Sequence, residues 1–70
     1  MAVSYKKLWK LLIDKDMKKK DLHEVTNLSP SLTAKMGRNE NVTTEVLSRI
    51  CAALSCNIGD IMEMVAEDGN

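Results

Sequence analysis

The sequence is poor in the residues from which loops and catalytic sites are usually built. Its 70 residues include one proline, three glycines, one histidine and no phenylalanine. So few helix breakers leave little of the chain for long connections. We find no plausible nucleophile–base pair and no glycine-rich phosphate loop, and 70 residues leave no room for a concave site. The sequence therefore argues against an enzyme, and we expect no cofactor.

The two cysteines and the one histidine do not form a known metal-binding pattern. Cys51 and Cys56 are spaced C-x4-C, which matches no common zinc pattern, and His23 is too isolated to complete one. We interpret both cysteines as small buried apolar residues that stay reduced in the cytosol, with a redox or metal role as the alternative. We therefore predict no metal site.

Long apolar runs are also missing. No run of 18 apolar residues occurs, and the first residues, MAVSYKK, become polar at once. We expect neither a membrane segment nor a signal peptide, and hence a cytoplasmic protein.

The formal net charge of zero conceals two halves of opposite sign. Residues 1–38 carry eight lysines and one arginine against four acidic side chains, a balance of +5. Residues 39–70 carry one arginine against six acidic side chains, a balance of −5. One face of the folded chain can therefore be basic enough to bind a polyanion. Because many small helical proteins segregate charge in this way, charge alone does not assign a function.

Apolar residues at helical spacing predict a first helix over residues 4–16, with Ser4 as its N-cap. Its apolar stripe, at positions i, i+3, i+4, i+7 and i+8, comprises Tyr5, Leu8, Trp9, Leu12 and Ile13. Trp9 is the largest side chain of that stripe. We interpret it as a core residue, with stacking on a nucleobase as the alternative.

Residues 18–38 predict two short helices joined by a tight turn. The first spans about Lys19–Thr26, and its apolar residues are Leu22 and Val25. Its N-terminus carries three consecutive lysines, residues 18–20, although the positive end of a helix dipole disfavours cations. A docked phosphate would reverse this cost, because it would meet the lysines, the dipole and the free N–H groups together. A solvated lysine run is the alternative.

The turn and the second helix have clear boundary signals. Asn27 stands where a left-handed residue is needed, and asparagine tolerates positive φ better than any residue except glycine. Ser29 followed by Pro30 is an N-cap with proline at the first helical position. The second helix is therefore predicted over Pro30–Met36, with Gly37 as its C-cap.

Two more helices are predicted after the polar loop of residues 38–41. Helix four follows Val42, has Thr43 or Thr44 as its cap, and buries Val46, Leu47, Ile50, Cys51 and Leu54. After a break at residues 55–57, helix five opens at Gly59-Asp60, and its apolar face comprises Ile58, Ile61, Met62 and Val65. No alternating strand pattern occurs. We predict an all-α, compact five-helix bundle in one domain, residues 1–66, followed by a short acidic tail, residues 67–70.

The last third of the chain carries the pattern Leu-x-x-Ile-Cys-x-x-Leu-x-Cys-x-x-x-Asp-Ile. The residues concerned are Leu47, Ile50, Cys51, Leu54, Cys56, Asp60 and Ile61. With the helix-turn-helix and the five-helix layout, this pattern resembles the phage Cro/repressor-like (XRE-type) helix-turn-helix transcriptional regulators, and more closely their small stand-alone members. The resemblance covers nearly the whole chain. It implies a lambda-repressor-like DNA-binding domain in which helices two and three form the DNA reader.

The same resemblance implies which side chains contact DNA. Those facing base edges from helix three in the major groove would be Pro30, Ser31, Leu32, Ala34 and Lys35. Those contacting phosphates would be Lys18, Lys19, Ser29, Arg38, Asn39, Asn41 and Thr43. Serine can bond to several base edges, apolar side chains can contact thymine methyl groups, and lysine can reach guanine or a phosphate.

Several positions depart from the family pattern. The family favours alanine where His23 stands and an apolar residue where Thr26 stands. It favours a branched apolar residue where Thr33 stands and a polar residue where Leu32 stands, so these two look exchanged. Either Thr33 packs by its methyl group and hydrogen-bonds back along the helix, or helix three is rotated or shifted by one residue.

The leading hypothesis is a sequence-specific transcriptional regulator that binds double-stranded DNA. One reader covers only a few base pairs, so we expect a homodimer on a palindromic site with half-sites about one helical turn apart. Dimer contacts are expected through helix five or the loop before it. A protein-interaction module of the same fold, which binds a partner protein instead of DNA, is the alternative. We expect no small-molecule ligand, because 70 residues leave no spare domain for one.

Overall fold

A computed structural model of the chain describes residues 2–66, which form four α-helices and a two-stranded sheet. The elements in chain order are β1 (Ala2–Ser4), α1 (Lys6–Asp14), α2 (Lys19–Thr26), α3 (Pro30–Gly37), α4 (Thr44–Leu54), a turn of 3-10 helix (Ile58–Asp60) and β2 (Glu63–Val65). The strands are antiparallel, with Val3 opposite Met64. The fold is therefore mostly helical, and the prediction of an all-α, five-helix bundle is correct for four helices only.

Every element except the 3-10 turn and β2 contributes to one apolar core. Its buried side chains are Val3, Tyr5, Leu8, Leu12, Leu22, Leu28, Met36, Val46, Leu47, Ile50, Leu54 and Ile61. Fully burying one leucine, isoleucine or methionine side chain contributes about 1.5–3 kcal/mol. Helix α2 packs against both α3 and α4, and the shared core therefore gives the helix-turn-helix a rigid support.

The first helix is shorter than predicted. Ser4 belongs to β1, so it is not the N-cap; Tyr5 takes that position, and the Ser4 hydroxyl oxygen accepts a bond from the Lys6 N–H at 3.3 Å. The prediction that Ile13 is buried is also wrong, since its side chain is 72% exposed. At 3.6 residues per turn, Ile13 lies about 80° around the helix from Tyr5, beyond the edge of the buried stripe.

The helix-turn-helix follows the sequence prediction closely. Helix α2 spans Lys19–Thr26, Asn27 adopts the left-handed conformation with φ of 58°, and α3 begins at Pro30. The Ser29 hydroxyl oxygen accepts a bond from the Leu32 N–H at 3.4 Å, as an N-cap does. Val25 is an exception: it was predicted to be one of the apolar residues of α2, and its side chain is 53% exposed.

The end of α3 differs from the prediction. Gly37 is not the C-cap: it is the last residue of the helix, and Arg38 follows with φ of −97°. The left-handed residue is Asn39, with φ of 57°, and its N–H bonds to the carbonyl of Met36 at 2.9 Å. Asparagine therefore supplies the positive φ that glycine was expected to supply.

Helix α4 confirms the predicted cap. Its N-cap is Thr43, whose hydroxyl oxygen accepts a bond from the Val46 N–H at 3.3 Å. The helix ends at Leu54, and Ser55 adopts the left-handed conformation with φ of 53°. Of its predicted apolar face, only Cys51 is half-buried rather than buried.

The predicted helix five does not form within the described residues, and its prediction was wrong. Gly59 lies in a single 3-10 turn, and residues 63–65 are extended because they pair with β1, 59 to 63 residues earlier in the chain. Of the predicted apolar face, Ile61 is fully buried, whereas Ile58 is 47% and Val65 is 37% exposed. The predicted tail, residues 67–70, lies outside the described residues. Among residues 2–66, no helix is long and apolar enough to cross a bilayer.

Candidate nucleic-acid interface

Helix α3 has one buried face and one exposed face. Thr33 and Met36 are buried at 3% and 0% exposure, while Pro30, Ser31 and Ala34 are exposed. Of the remaining predicted base-facing residues, Leu32 and Lys35 are half-buried. Thr33 lies in the core, at the position where the family pattern has a branched apolar residue. Helix α3 is therefore neither rotated nor shifted by a residue relative to that pattern. Thr33 does pack inward, but its hydroxyl makes no hydrogen bond, contrary to the back-bond considered from the sequence.

Two serines lie side by side at the start of α3. The hydroxyl oxygens of Ser29 and Ser31 are 3.1 Å apart, and both residues are exposed. Ser29 also caps the helix through its bond to Leu32. The hydrogen bond to Leu32 fixes the position of the Ser29 hydroxyl oxygen. The Ser31 hydroxyl therefore lies beside a hydroxyl group whose position is fixed.

The start of α2 combines three lysines with one carboxylate. Lys18, Lys19 and Lys20 are exposed. The Lys18 N–H donates to Oδ2 of Asp21 at 2.8 Å, so a negative charge lies in the first turn of the helix. That carboxylate offsets part of the repulsion between the lysines and the helix dipole. The lysine side chains themselves remain accessible to an anion.

The loop between α3 and α4 is held by Tyr5, the residue that precedes α1. The Tyr5 N–H donates to Oδ1 of Asn39 at 3.2 Å, and the Tyr5 hydroxyl donates to the carbonyl of Glu40 at 2.9 Å. Burial of Tyr5 raises the pKa of its phenol above the ordinary value, although a backbone hydrogen bond from Val42 acts in the opposite direction. The loop therefore has a defined conformation, with Asn41 exposed beside it.

Arg38, at the start of this loop, forms an ion pair with Glu40 in the same loop. Its Nε lies 2.6 Å from Oε2 of Glu40, and both side chains are exposed. The hydrogen bond lowers the pKa of the Glu40 carboxyl and raises the pKa of the Arg38 guanidinium. Both groups are therefore charged at neutral pH, and any phosphate that binds Arg38 must compete with Glu40.

All twelve predicted contact residues lie on α3, at the start of α2 or in the two loops that flank α3. Ten are exposed, and only Leu32 and Lys35 are half-buried. This arrangement of two packed helices with an exposed second helix matches a known family. A family model described as the Cro/C1-type HTH DNA-binding domain matches residues 7–67. The chain belongs to this family.

A solved structure agrees with this family assignment. The crystal structure of the transcriptional regulator VanUg is similar to this chain, with 56% sequence identity and a TM-score of 0.90. The similarity covers 94% of this chain and 88% of that chain. No curated protein matches the chain. The resemblance to XRE-type helix-turn-helix regulators inferred from the sequence is thereby confirmed.

The departures from the Cro/C1 pattern have different structural outcomes. The Thr26 hydroxyl, buried at 6% exposure, donates to the carbonyl of Leu22 one turn earlier. His23 is half-buried, and its Nε2 is a buried atom without a hydrogen-bond partner. Threonine therefore replaces an apolar residue without leaving a polar group unsatisfied, whereas His23 does leave one.

The cysteines lie away from this interface. Cys51 and Cys56 are half-buried free thiols, and burial raises the pKa of Cys56, so its thiol is protonated at neutral pH. In the part of the chain that the structure describes, no cluster of three potential metal ligands occurs.

Sequence reasoning missed three side chains that shape the candidate interface. Tyr5 was assigned only to the core and Glu40 only to a polar loop, and Trp9 was assigned to the core with stacking on a nucleobase as the alternative. The Trp9 ring lies below the ammonium of Lys19, whose Nζ is 4.6 Å from the ring centroid. The charge pair of Arg38 and Glu40, two residues apart, was visible in the sequence. The contacts of Tyr5 and Trp9 bridge distant segments and had no local signal.

Proposed function

We propose that this protein is a transcriptional regulator that binds specific sequences in double-stranded DNA, with the start of α3 in the major groove. The observation that carries the proposal is the exposed outer face of α3. Its inner residues, Thr33 and Met36, are buried against the core, and the first turn projects outward. A helix held in this way can enter the groove with little loss of conformational freedom. Residues 1–66 act as one domain in this proposal.

Base reading is assigned to the first two turns of α3. Ser31 bonds to base edges, while Pro30, Leu32 and Ala34 contact thymine methyl groups. Lys35, one turn further along, reaches a guanine or a phosphate. Because only Ser31 and Lys35 carry polar groups, base specificity depends on few hydrogen bonds and largely on apolar contacts.

Phosphate binding is assigned to residues before and after α3 in the chain. Those before it are Lys18 and Lys19 at the start of α2, and Ser29. Those after it are Arg38, Asn39, Asn41 and Thr43. Contacts of this kind determine register and supply most of the salt-dependent affinity. The +5 balance of residues 1–38 supports this assignment although the whole chain is neutral.

The functional unit is a homodimer. One α3 spans only a few base pairs, so two copies on a palindromic site, about one helical turn apart, are needed for specific binding. Dimer contacts were expected through helix five or the loop before it; helix five does not form within the described residues, which leaves the loop. The 3-10 turn and β2 carry exposed apolar side chains, Ile58, Met64 and Val65, which support this end of the molecule as the contact region.

The salt dependence of binding to mixed-sequence duplex DNA tests the proposal. We expect affinity to fall steeply as salt rises, and Lys35→Ala or Arg38→Ala to reduce the slope of log K against log salt by about one unit each. Lys10→Ala is the matched control, because Lys10 lies in a groove with Leu54 and Asp60, away from α3. An unchanged slope in both test variants would contradict the phosphate contacts.

A protein-interaction module is the second candidate, and two observations favour it. The tip of α3 offers few hydrogen-bonding groups, and Arg38 is already paired with Glu40. If ~50 mM salt and micromolar protein give no binding to any duplex, this second function replaces the first.

A further inference from the structure

Lys19, one of the lysines that we assign to phosphate binding, contacts an aromatic ring through its ammonium group. Lys19 is the first residue of α2, and its Nζ lies 4.6 Å from the centroid of the Trp9 ring on α1. That distance is within the range of a cation–π interaction, and tryptophan is the aromatic residue that binds cations best. Trp9 is also the only tryptophan in the sequence. The contact therefore links the start of α2 to α1.

Helix α3 borders the same ammonium. A Cβ atom placed on Gly37 would lie 3.7 Å from Nζ of Lys19, so the ammonium lies beside the C-terminal end of α3. The negative end of the α3 dipole favours a cation there. Lys19 is nevertheless an exposed residue. Its side chain is thus in contact with Trp9 and close to α3 without being buried by them.

We propose that Trp9 is a positioning residue for DNA binding, which holds the Lys19 ammonium where it meets a DNA phosphate. The inference rests on the proposed function and assigns Trp9 a role within it. A mobile lysine loses side-chain freedom when it binds a phosphate, whereas a lysine already held on a ring has lost much of that freedom beforehand. The three N–H donors of the ammonium allow the ring and a phosphate to be bound together.

Lys20 provides a natural comparison. It follows Lys19 in the chain and is also exposed, but within residues 2–66 the cation–π contact to Trp9 is made by Lys19. If Trp9 only stabilised the fold, its replacement would affect both lysines equally. If it positions Lys19, its replacement changes the contribution of Lys19 alone.

The first experiment measures affinity for duplex DNA as a function of salt in Trp9→Leu and Trp9→Phe. We expect Trp9→Leu to weaken binding about two- to tenfold at every salt concentration, because Lys19 must then be ordered on binding. The slope of log K against log salt should not change, since Lys19 still neutralises a phosphate. Trp9→Phe should retain most of the affinity, because phenylalanine also presents an aromatic face.

A double-mutant cycle then distinguishes positioning from packing. Lys19→Met should reduce the salt slope by about one unit, and in that background Trp9→Leu should have no further effect on affinity. In the control background, Lys20→Met, the full effect of Trp9→Leu should remain. An equal loss of affinity on replacing Trp9 in all backgrounds would overturn the proposal, as would an unchanged slope in Lys19→Met.

A measurement without DNA tests the contact itself. The ε-methylene protons of Lys19 should show an NMR ring-current shift in the free protein, which Trp9→Leu abolishes and Trp9→Phe partly retains. Absence of that shift in the wild-type protein would overturn the proposal, even if a variant folds poorly. If the shift is present and the wild-type protein binds no duplex, the proposed function and this role of Trp9 both fail. If the protein binds DNA and the cycle shows no coupling, only the role of Trp9 fails.

Discussion

Nε of Arg38 lies 2.6 Å from Oε2 of Glu40, within the loop that we assign to phosphate binding. Glu40 therefore occupies the guanidinium that a phosphate would bind, and it adds negative charge close to DNA. We expect Glu40→Gln to strengthen binding to mixed-sequence duplex about two- to fivefold at ~50 mM salt, with the largest effect at low salt. Fluorescence anisotropy titrations measure this change. In an Arg38→Ala background the gain should shrink; a loss of affinity in Glu40→Gln would contradict the competition.

A buried hydroxyl without a partner destabilises the interior of α3. Thr33 is 3% exposed, and its Oγ1 makes no hydrogen bond. Replacing it with valine keeps the shape and removes the unsatisfied group, so Thr33→Val should raise the free energy of unfolding by about 1 kcal/mol. Urea unfolding measures this directly. Thr26→Val is the matched control: its hydroxyl donates to the Leu22 carbonyl, so its replacement should give no comparable gain.

The single tyrosine gives the folded state a dependence on alkaline pH. Burial raises the pKa of Tyr5 above its ordinary value near 10, so the folded state favours the neutral phenol. Its contribution to stability is complete below about pH 10 and is lost as pH rises through the folded-state value. Tyr5→Phe should flatten this alkaline decline and, at neutral pH, cost about 1 kcal/mol through the lost bond to Glu40.

Two measurements check the Tyr5 prediction. Ultraviolet absorbance reports ionisation of the phenol alone, because Tyr5 is the only tyrosine. Unfolding free energies from pH 8 to about 11 in the two proteins report the linkage. Parallel curves for wild-type and Tyr5→Phe would show that another group, such as a cysteine or lysine, causes the decline.

The end of α4 contains a non-glycine residue with positive φ. Ser55 has φ of 53°, a conformation that costs an L-residue roughly 1 kcal/mol and glycine almost nothing. Ser55→Gly should therefore raise the free energy of unfolding by about 0.5 kcal/mol, after the greater freedom of glycine in the unfolded chain is subtracted. Ser48→Gly, in the exposed face of α4, should lower it by about 0.5 kcal/mol. Thermal unfolding of both variants checks the opposite signs.

Local signals in the sequence were sufficient for the helix-turn-helix. Asn27, Ser29 and Pro30 determine the turn through their own backbone preferences, and Thr43 caps α4 through a neighbour three residues away. The prediction of helix five was wrong because the structure of that segment depends on a distant part of the chain. The spacing of Ile58, Ile61 and later apolar residues is helical, but the strand that pairs with this segment, β1, lies 59 to 63 residues earlier in the chain and leaves no local pattern. Strands of three residues are too short to show alternation.

The candidate site shows the same division between local and distant effects. The exposure of Ser31 and Ala34 follows from helical periodicity once Thr33 and Met36 face the core. The cation–π contact of a lysine with Trp9 depends on how α1 packs against α2. The sequence does not indicate that packing, and so it does not indicate which lysine makes the contact. Trp9 was correctly expected to pack on the core, yet its contact with Lys19 required the fold.

The central claim is that α3 reads double-stranded DNA, and selection of bound duplexes from a random library tests it most directly. We predict enrichment of one motif with two inverted half-sites about one helical turn apart, and a changed motif in Ser31→Ala or Lys35→Ala. Lys10→Ala, the control away from α3, should return the wild-type motif. Selection that enriches no duplex at ~50 mM salt, or a motif unaffected by both α3 substitutions, would contradict the account.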